Sequence, residues 1–439
     1  MNKPPASPAP PSAVAPRSPL AIPDYRRFWL ARFLAVFATL STVVLIGYQT
    51  YDVARADYGM NPADAAFMLG LLGLAQFVPI ALLTPVAGLA ADRFDRRRVV
   101  LFANGIDSVI ALVLAICTLN NALSLPLLFT LAAAHGAARV FNGPALAAIA
   151  PNLVPPALLP RAIALSSIAW QTGTVIGPAL GGLLFGWNPA APYFLSAVLV
   201  LSSGLLISTV RPVRAIQSGP PVHPLRRIVE GFTFLKNDRF LLGCVTLDLF
   251  AVLLGGATAM LPVFARDILA VGPEGLGLMR GAPAAGAAAV AALFSFRPLE
   301  RNVGVKMLWA VVGFGVATIA FALSRDFLLS LACLAALGAA DMISVFIRSS
   351  LVQLNTPDTM RGRVSAISCL AVSASNELGE LQSGMVAALL GAVGAVVLGG
   401  VGAILVTGLW AWRFPEIRRA RTFSARYLDP ETTNKEPAS

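Results

Sequence analysis

Residues 162–186 read AIALSSIAWQTGTVIGPALGGLLFG, a stretch without a charged side chain. About 20 apolar residues are enough to cross roughly 30 Å of hydrocarbon as a helix. Gly173, Gly177 and Gly181 recur every four residues inside it. That spacing puts them on one face, a smooth strip for close contact with another helix. Pro178 removes one backbone hydrogen bond and bends the helix there. A membrane helix tolerates this, because its neighbours satisfy the freed groups. The stretch therefore reads as a helix made to pack tightly on other helices in lipid.

Working outward, the same reading applies to eleven more runs, giving spans at 28–49, 66–90, 99–119, 124–146, 162–186, 191–210, 240–265, 276–296, 307–324, 327–350, 364–390 and 392–412. Pro79, Pro85 and Pro283 lie inside them and do not break the pattern. Composition agrees. Hydrophobic residues make up 57% of the 439 and charged residues 13%, against about 45–50% and about 25% in a soluble domain. Mean hydropathy is +0.74. An ordinary cytosolic enzyme and a disordered scaffold are excluded, and lipid is the solvent for most of the surface.

The formal charge is +11. Basic balance can signal nucleic acid, but here the basic residues cluster between apolar runs, so no nucleic-acid partner is expected. With the N-terminus inside, 27 of the 33 Lys and Arg fall on or at the margin of the cytoplasmic side. The outer loops hold 3 (Arg55, Arg266 and Arg325), and Arg139, Arg280 and Arg348 lie within spans. By the positive-inside rule both termini are cytoplasmic.

The expected organisation is a disordered tail over 1–24, six helices over 25–210, a cytoplasmic linker over 211–239, six helices over 240–413, and a cytoplasmic tail over 414–439. The Pro/Ala/Ser-rich start lacks the apolar core of a signal peptide. In the linker, Leu225, Ile228, Val229, Phe232 and Leu235 recur at helical spacing against Arg226, Arg227, Glu230 and Lys236, an amphipathic surface helix. Cys117, Cys244, Cys333 and Cys369 form no CxxC pair and read as small core residues.

The halves resemble one another. An offset of 202 pairs Gly136 with Gly338, Pro155 with Pro357, Arg161 with Arg363 and Gly182 with Gly384. Duplicated halves with a site between them are a transporter architecture. The loop after span two reads Gly88-Leu-Ala-Ala-Asp92-Arg93-Phe-Asp95-Arg96-Arg97-Arg98, and span four contains Arg139-Val-Phe-Asn142-Gly143. Gly88 would allow close helix approach, and Asp92 can cap a helix or pair with an Arg. Arg139 lies about 22 Å from the outer end of its span at 1.5 Å per residue, a costly depth unless it faces protein or water.

These stretches resemble the motifs of the major facilitator superfamily: the G-x-x-x-D-R-x-G-R-R loop carried by Gly88, Asp92, Arg93, Arg96 and Arg97, with Asp95 in place of a Gly; R-x-x-Q-G, with Asn142 in place of Gln, before Gly143; and the exporters' G-x-x-x-G-P-x-x-G-G at Gly173, Gly177, Pro178, Gly181 and Gly182. The resemblance runs along essentially the whole chain. It implies an all-α integral membrane protein of twelve transmembrane helices in two pseudo-symmetric six-helix bundles. The linker and NTPDTMRGRVSAI are similar to the branch of enterobactin exporters and drug:proton antiporters. That branch implies a monomer in the bacterial inner membrane that exports a drug- or siderophore-like molecule by alternating access, with protons as coupling ion.

A proton antiporter needs buried ionisable groups. Glu377 and Glu380 of span eleven stand at i and i+3 and share a face. Asp341 of span ten is the repeat partner of Arg139, so the two are expected to face one cavity and to interact in one state. Asp248 of span seven is a third candidate, and Asp107 a weaker one. Trp29, Trp309, Trp410 and Trp412 near span ends suit interfacial belts. Tyr48, Tyr51, Phe77 and Phe250 suit ligand contact or core packing equally, and His135 a structural role. His223 falls in the linker. A metabolite importer or facilitator of the same fold is the alternative reading, against which the span-five motif argues. The phosphate loop, HExxH and GxSxG are all missing from the sequence, so neither an enzyme nor a cofactor is expected.

Overall fold

The computed structural model describes residues 18–149, 152–155, 158–211, 224–297, 299 and 301–423. Among them there is no β-strand. Six helices form the first half: α1 (Pro23–Ala56), α2 (Pro62–Arg93), α3 (Arg96–Leu119), α4 (Leu125–Ile149), α5 (Leu159–Trp187) and α6 (Ala191–Ser208). The bridging helix α7 (Pro224–Asn237) leads to α8 (Arg239–Leu254), α9 (Leu261–Val263), α10 (Gly272–Phe296), α11 (Val303–Leu323), α12 (Phe327–Leu354), α13 (Asp358–Arg413) and α14 (Pro415–Arg419).

Ten described segments are long and apolar enough to cross a membrane. α8 belongs to one that runs on through a 3-10 turn (Ala257–Met260), α9 and a π turn (Phe264–Ile268). α13 contributes one segment although it is two helices meeting at Gly391, and α4 stands outside the ten. Dividing α13 and adding α4 gives the expected twelve. The break at Gly391, with φ 74, falls between the two runs read from the sequence, 364–390 and 392–412. It reverses the chain. Val364 and Phe414, at the two ends of α13, share one core, while Ala387 and Ala395, beside the break, share another.

Helix starts follow capping chemistry. Asn61 accepts from the Asp64 amide at 2.9 Å, Asp238 from Phe240 and Leu241, and Asp326 from Leu329 at 2.8 Å. An acidic or amide cap satisfies amides that the first turn leaves unpaired, and a negative charge suits the positive end of the helix dipole. Asp95 does the same for α3, with an ordinary extended backbone (φ −60, ψ 113). The position held by Gly in the family motif therefore needs no glycine in this chain.

The glycine strip of α5 lies on α1. A Cβ on Gly173 would come within 2.8 Å of Val36, one on Gly177 within 2.6 Å of the Phe37 carbonyl oxygen, and one on Gly181 would strike Ser41. Such approaches carry dispersion contact between backbones that any larger side chain would prevent. The duplication is visible in the same terms. Gly136 brings α4 onto Gln76 of α2, and its repeat partner Gly338 brings α12 onto Pro283 of α10.

The two halves meet at one end only. We call this end distal, because the described chain begins and ends at the other, proximal end. One apolar core holds residues of both halves: Leu45, Tyr51, Leu72 and Tyr193 with Leu261, Phe264, Leu276 and Ala387. Toward the proximal end it is replaced by two separate cores, one around Tyr25, Phe28, Val100 and Ile149, the other around Phe240, Met307, Ile347 and Val364. Residues 414–419 fall in the expected tail, yet Phe414 and Ile417 are buried over Gly243 and Gly304. The cause is local: Gly243 leaves space that these side chains fill, and Gly304 lets the Ile417 backbone approach. Within α7, Gly231 lies against Arg363 and Ile367, and Glu230 pairs with Arg363 at 3.0 Å, so the amphipathic helix rides on α13. Residues 1–17, 212–223 and 424–439, which carry His223 and most of both expected tails, lie outside the described residues.

Candidate functional site

Two seams join the halves, and the repeat relates them. On one, Gly182 of α5 faces Gly277 of α10, with 3.0 Å from a Cβ on Gly182 to the Gly277 Cα. On the other, Gly384 of α13 faces Gly70 of α2, with 2.6 Å from a Cβ on Gly384 to the Gly70 Cα. Gly182 and Gly384 are the pair found at an offset of 202. The span-five motif thus works on two sides: Gly173, Gly177 and Gly181 pack α1, while Pro178 and Gly182 pack α10, the Pro178 carbonyl oxygen lying against Gly277.

At the distal rim, α1 and the end of the α8 extension exchange charges. Tyr51 Oη donates to Asp267 at 2.5 Å, Arg55 Nε lies 3.3 Å from Asp267, and Arg266 Nε lies 2.8 Å from Asp52. The guanidinium of Arg266 also stands 5.9 Å from the Tyr51 ring centre. Nothing in the spacing of these residues signals the pairings; in sequence Arg55 and Arg266 read only as sparse outer charge.

Beneath this rim lies a small cavity of about 50 Å³. Gln76, Thr258, Arg280 and Glu380 supply its polar wall, with Leu69, Leu72 and Pro262 among the apolar lining. Arg280 donates to the Thr258 carbonyl at 3.1 Å. Glu380 stands against Gly73, where any side chain would displace it. One turn proximal, Arg139 of α4 donates to Glu377 of α13 at 3.1 Å, an ion pair between the halves. Arg139 is 33% exposed and Glu377 15%, so the pair opens onto the space where the halves part. The shared face of Glu377 and Glu380 thus looks across the seam.

Asp341 is placed differently from expectation. It does not pair with Arg139; it lines a pocket inside the second half together with Asp248 and Ser344. Asp248 pairs with Arg348, and both are buried. Repeat symmetry locates equivalent backbone positions, but Arg139 reaches Glu377 because α13 crosses at the seam while α12 lies behind it.

The loop motif gives mixed results. Arg97 binds Asp95 through Nη2 at 2.6 Å and the Val210 carbonyl at 2.6 Å. The Arg97 guanidinium holds the Asp95 carboxyl below the usual carboxylate range. Gly88 was expected to let helices approach closely, but a Cβ there would meet nothing within 4 Å, and the same holds for Gly143. Both lie in the proximal region, where the halves have separated. Arg93 is exposed, Arg96 partly so, and the side chain of Asp92 lies outside the description. Asn142 donates to Asn104 at 2.8 Å, tying α4 to α3. Asp107 and His135, read as weak or structural, are in contact at 2.5 Å and buried.

A family model described as transmembrane secretion effector matches residues 14–436. The chain belongs to the transmembrane secretion effector family. This family lies in the major facilitator superfamily, whose members are transporters. The chain is similar to the enterobactin exporter EntS of Citrobacter koseri, 29% identical over 383 residues that cover 84% of this chain and 85% of that one. It is 28% identical to EntS of Escherichia coli O1:K1, with the same coverage. Among solved structures it is similar in fold to a bacterial homolog of the human lysosomal transporter Spinster, at TM-score 0.68 and 16% identity over 91% of this chain and 97% of that one. The nucleoside transporter NupG matches with TM-score 0.68 and 14% identity over 90% and 99%. This secretion effector is therefore a multi-pass membrane transporter related to exporters.

The aromatic expectations divide. Trp309 and Trp412 are exposed on the outer surface of the bundle, as a belt requires, whereas Trp29 donates to the Leu165 carbonyl and Trp410 to Thr246. Phe250 packs at a tilt against Trp410 on that surface rather than in the cavity, and Tyr48 packs edge-on to Phe185 in the shared core.

Proposed function

We propose that this secretion effector is a secondary active exporter of a small, siderophore-like organic compound, working by alternating access around the space between its halves. The observation that carries the reading is the divided core: one apolar core seals the distal end across both halves, and two private cores stand apart proximally. A substrate entering from the proximal side meets Arg139, Glu377, Glu380 and Arg280, and a seal above them. Release then requires the distal seams to open as the proximal sides close. Both termini are cytoplasmic, following the distribution of basic residues. Entry from the proximal side is then entry from the cell interior, the direction an exporter needs.

Proton influx is the driving force. Glu377, Glu380, Asp248 and Asp341 are the carboxylates within the spans of the second half, and each sits beside an arginine or another carboxylate. Loss or gain of a proton at such a site changes the charge balance across the seam. The enterobactin exporters to which the chain is similar support enterobactin or a compound like it as cargo. The test is uptake of enterobactin into inside-out membrane vesicles. Accumulation driven by an acidic lumen supports export against proton inflow. Equilibration that ignores the pH gradient would identify a facilitator.

A further inference from the structure

The first half contains a buried titratable pair that the transport pathway above does not use. His135 on α4 is 1% exposed and Asp107 on α3 is 4% exposed. The His135 Nδ1 and an Asp107 carboxylate oxygen are 2.5 Å apart. The other ring nitrogen, Nε2, is also buried and has no protein partner. We propose that His135 and Asp107 form a proton-binding site within the first half, separate from the carboxylates at the seam, with His135 Nε2 as the atom that gains and loses the proton.

The argument rests on what each ring nitrogen can do. Asp107 fixes the proton on Nδ1, since a carboxylate can only accept. Nε2 is then either bare or protonated, and no neighbouring donor or acceptor decides between the two. A histidine kept for structure alone would have both nitrogens committed, because a buried polar atom without a partner is costly. The charge of the protonated ring is balanced by Asp107 at contact distance. The neighbours add little charge. α2 presents the Gln76 backbone at Gly136, α3 presents Asp107, and on α4 itself Arg139 stands one turn away, committed to Glu377. Protonation of His135 therefore places a second positive charge on the face of α4 that carries the interhalf ion pair, and bears on whether that pair holds.

The role in coupling rests on the proton-driven reading above; the existence of the site does not. The chain has two histidines, so His223→Gln leaves His135 as the only imidazole. Nitrogen-15 NMR of that variant, histidine-labelled in nanodiscs, reads the ring directly. The expected result on acidification is a change from two well-separated nitrogen shifts to the converged pair of an imidazolium, lost in the added variant Asp107→Asn. A ring that keeps one pattern at every pH at which the protein stays folded overturns the proposal. In vesicles, His135→Gln is expected to lose an inflection in the pH profile of transport while retaining gradient-driven accumulation. An unchanged profile overturns its role in coupling. A wild type that ignores the gradient sinks proton coupling but leaves the NMR result standing.

Discussion

Gly384 of α13 and Gly70 of α2 touch backbone to backbone across the halves, and the same contact recurs where Gly182 meets Gly277. Both crossings lie in the sealed distal region, and the proposed alternating-access cycle requires them to part and re-form in each turnover. Replacing Gly182 by Val drives a side chain onto the Pro273 carbonyl and the Gly277 backbone, neither of which can yield cheaply. Overpacking of this kind costs about 1–3 kcal/mol, which moves the sealed-to-open equilibrium by roughly tenfold. With the native cysteines replaced, a cysteine at Ala259 in the cavity wall should react faster with an impermeant thiol reagent applied from the distal side. Unchanged labelling would show that the crossing does not set the seal.

The rim charges predict a graded response. Asp52 is 46% exposed, and an exposed ion pair contributes about 0–1 kcal/mol. Asp52→Asn should therefore barely alter the distance distribution between spin labels on the distal ends of α1 and α10. Asp267 accepts from Tyr51 and faces Arg55 as well as Arg266. Asp267→Asn should broaden the distribution toward longer distances.

Arg139 and Glu377 should behave as a unit. A hydrogen bond to a charged group contributes about 1.5–3 kcal/mol, so Arg139→Gln or Glu377→Gln alone should cut gradient-driven transport by about tenfold or more. The double variant should lose less than the product of the two losses. Strict additivity would mean that the pair is incidental to transport.

Asp95 supplies a pH signature outside the spans. Its folded pKa lies below the unfolded value because of Arg97. The stabilisation is therefore fully present above the unfolded value of about 4, and is lost as pH falls through the depressed folded value. Asp95→Asn keeps a capping side chain but loses the charge. At a side-chain exposure of 28%, the loss should be roughly 0.5 kcal/mol at neutral pH, seen as a slightly lower melting temperature. The gap to wild type should close on strong acidification.

Helix positions were legible in the sequence because lipid imposes a length and an apolar composition on each span. The break at Gly391 showed as an interruption between two runs, and the strip of Gly173, Gly177 and Gly181 as a spacing. Partners were less legible. Arg139 could be placed at depth, but whether it met Asp341 or Glu377 depends on which helix crosses the seam. Gly88 reads as a packing residue, yet it is open here because the halves stand apart at the proximal end. Asp52 and Asp267 carried no pattern at all; the contacts of Asp52 with Arg266 and of Asp267 with Tyr51 and Arg55 come from two helix ends, more than 200 positions apart in the chain, brought together by an apolar core.

A single residue, Gly391, separates the arm of α13 that carries Glu377, Glu380 and Gly384 from the arm that returns past Trp410. A turn this short stores no slack. The first arm cannot slide along its axis without dragging the second, which is pinned at its far end by Phe414 and Ile417. Any shift at the seam carboxylates is thereby converted into a tilt of the whole hairpin, so the last two spans act as one rigid lever arm.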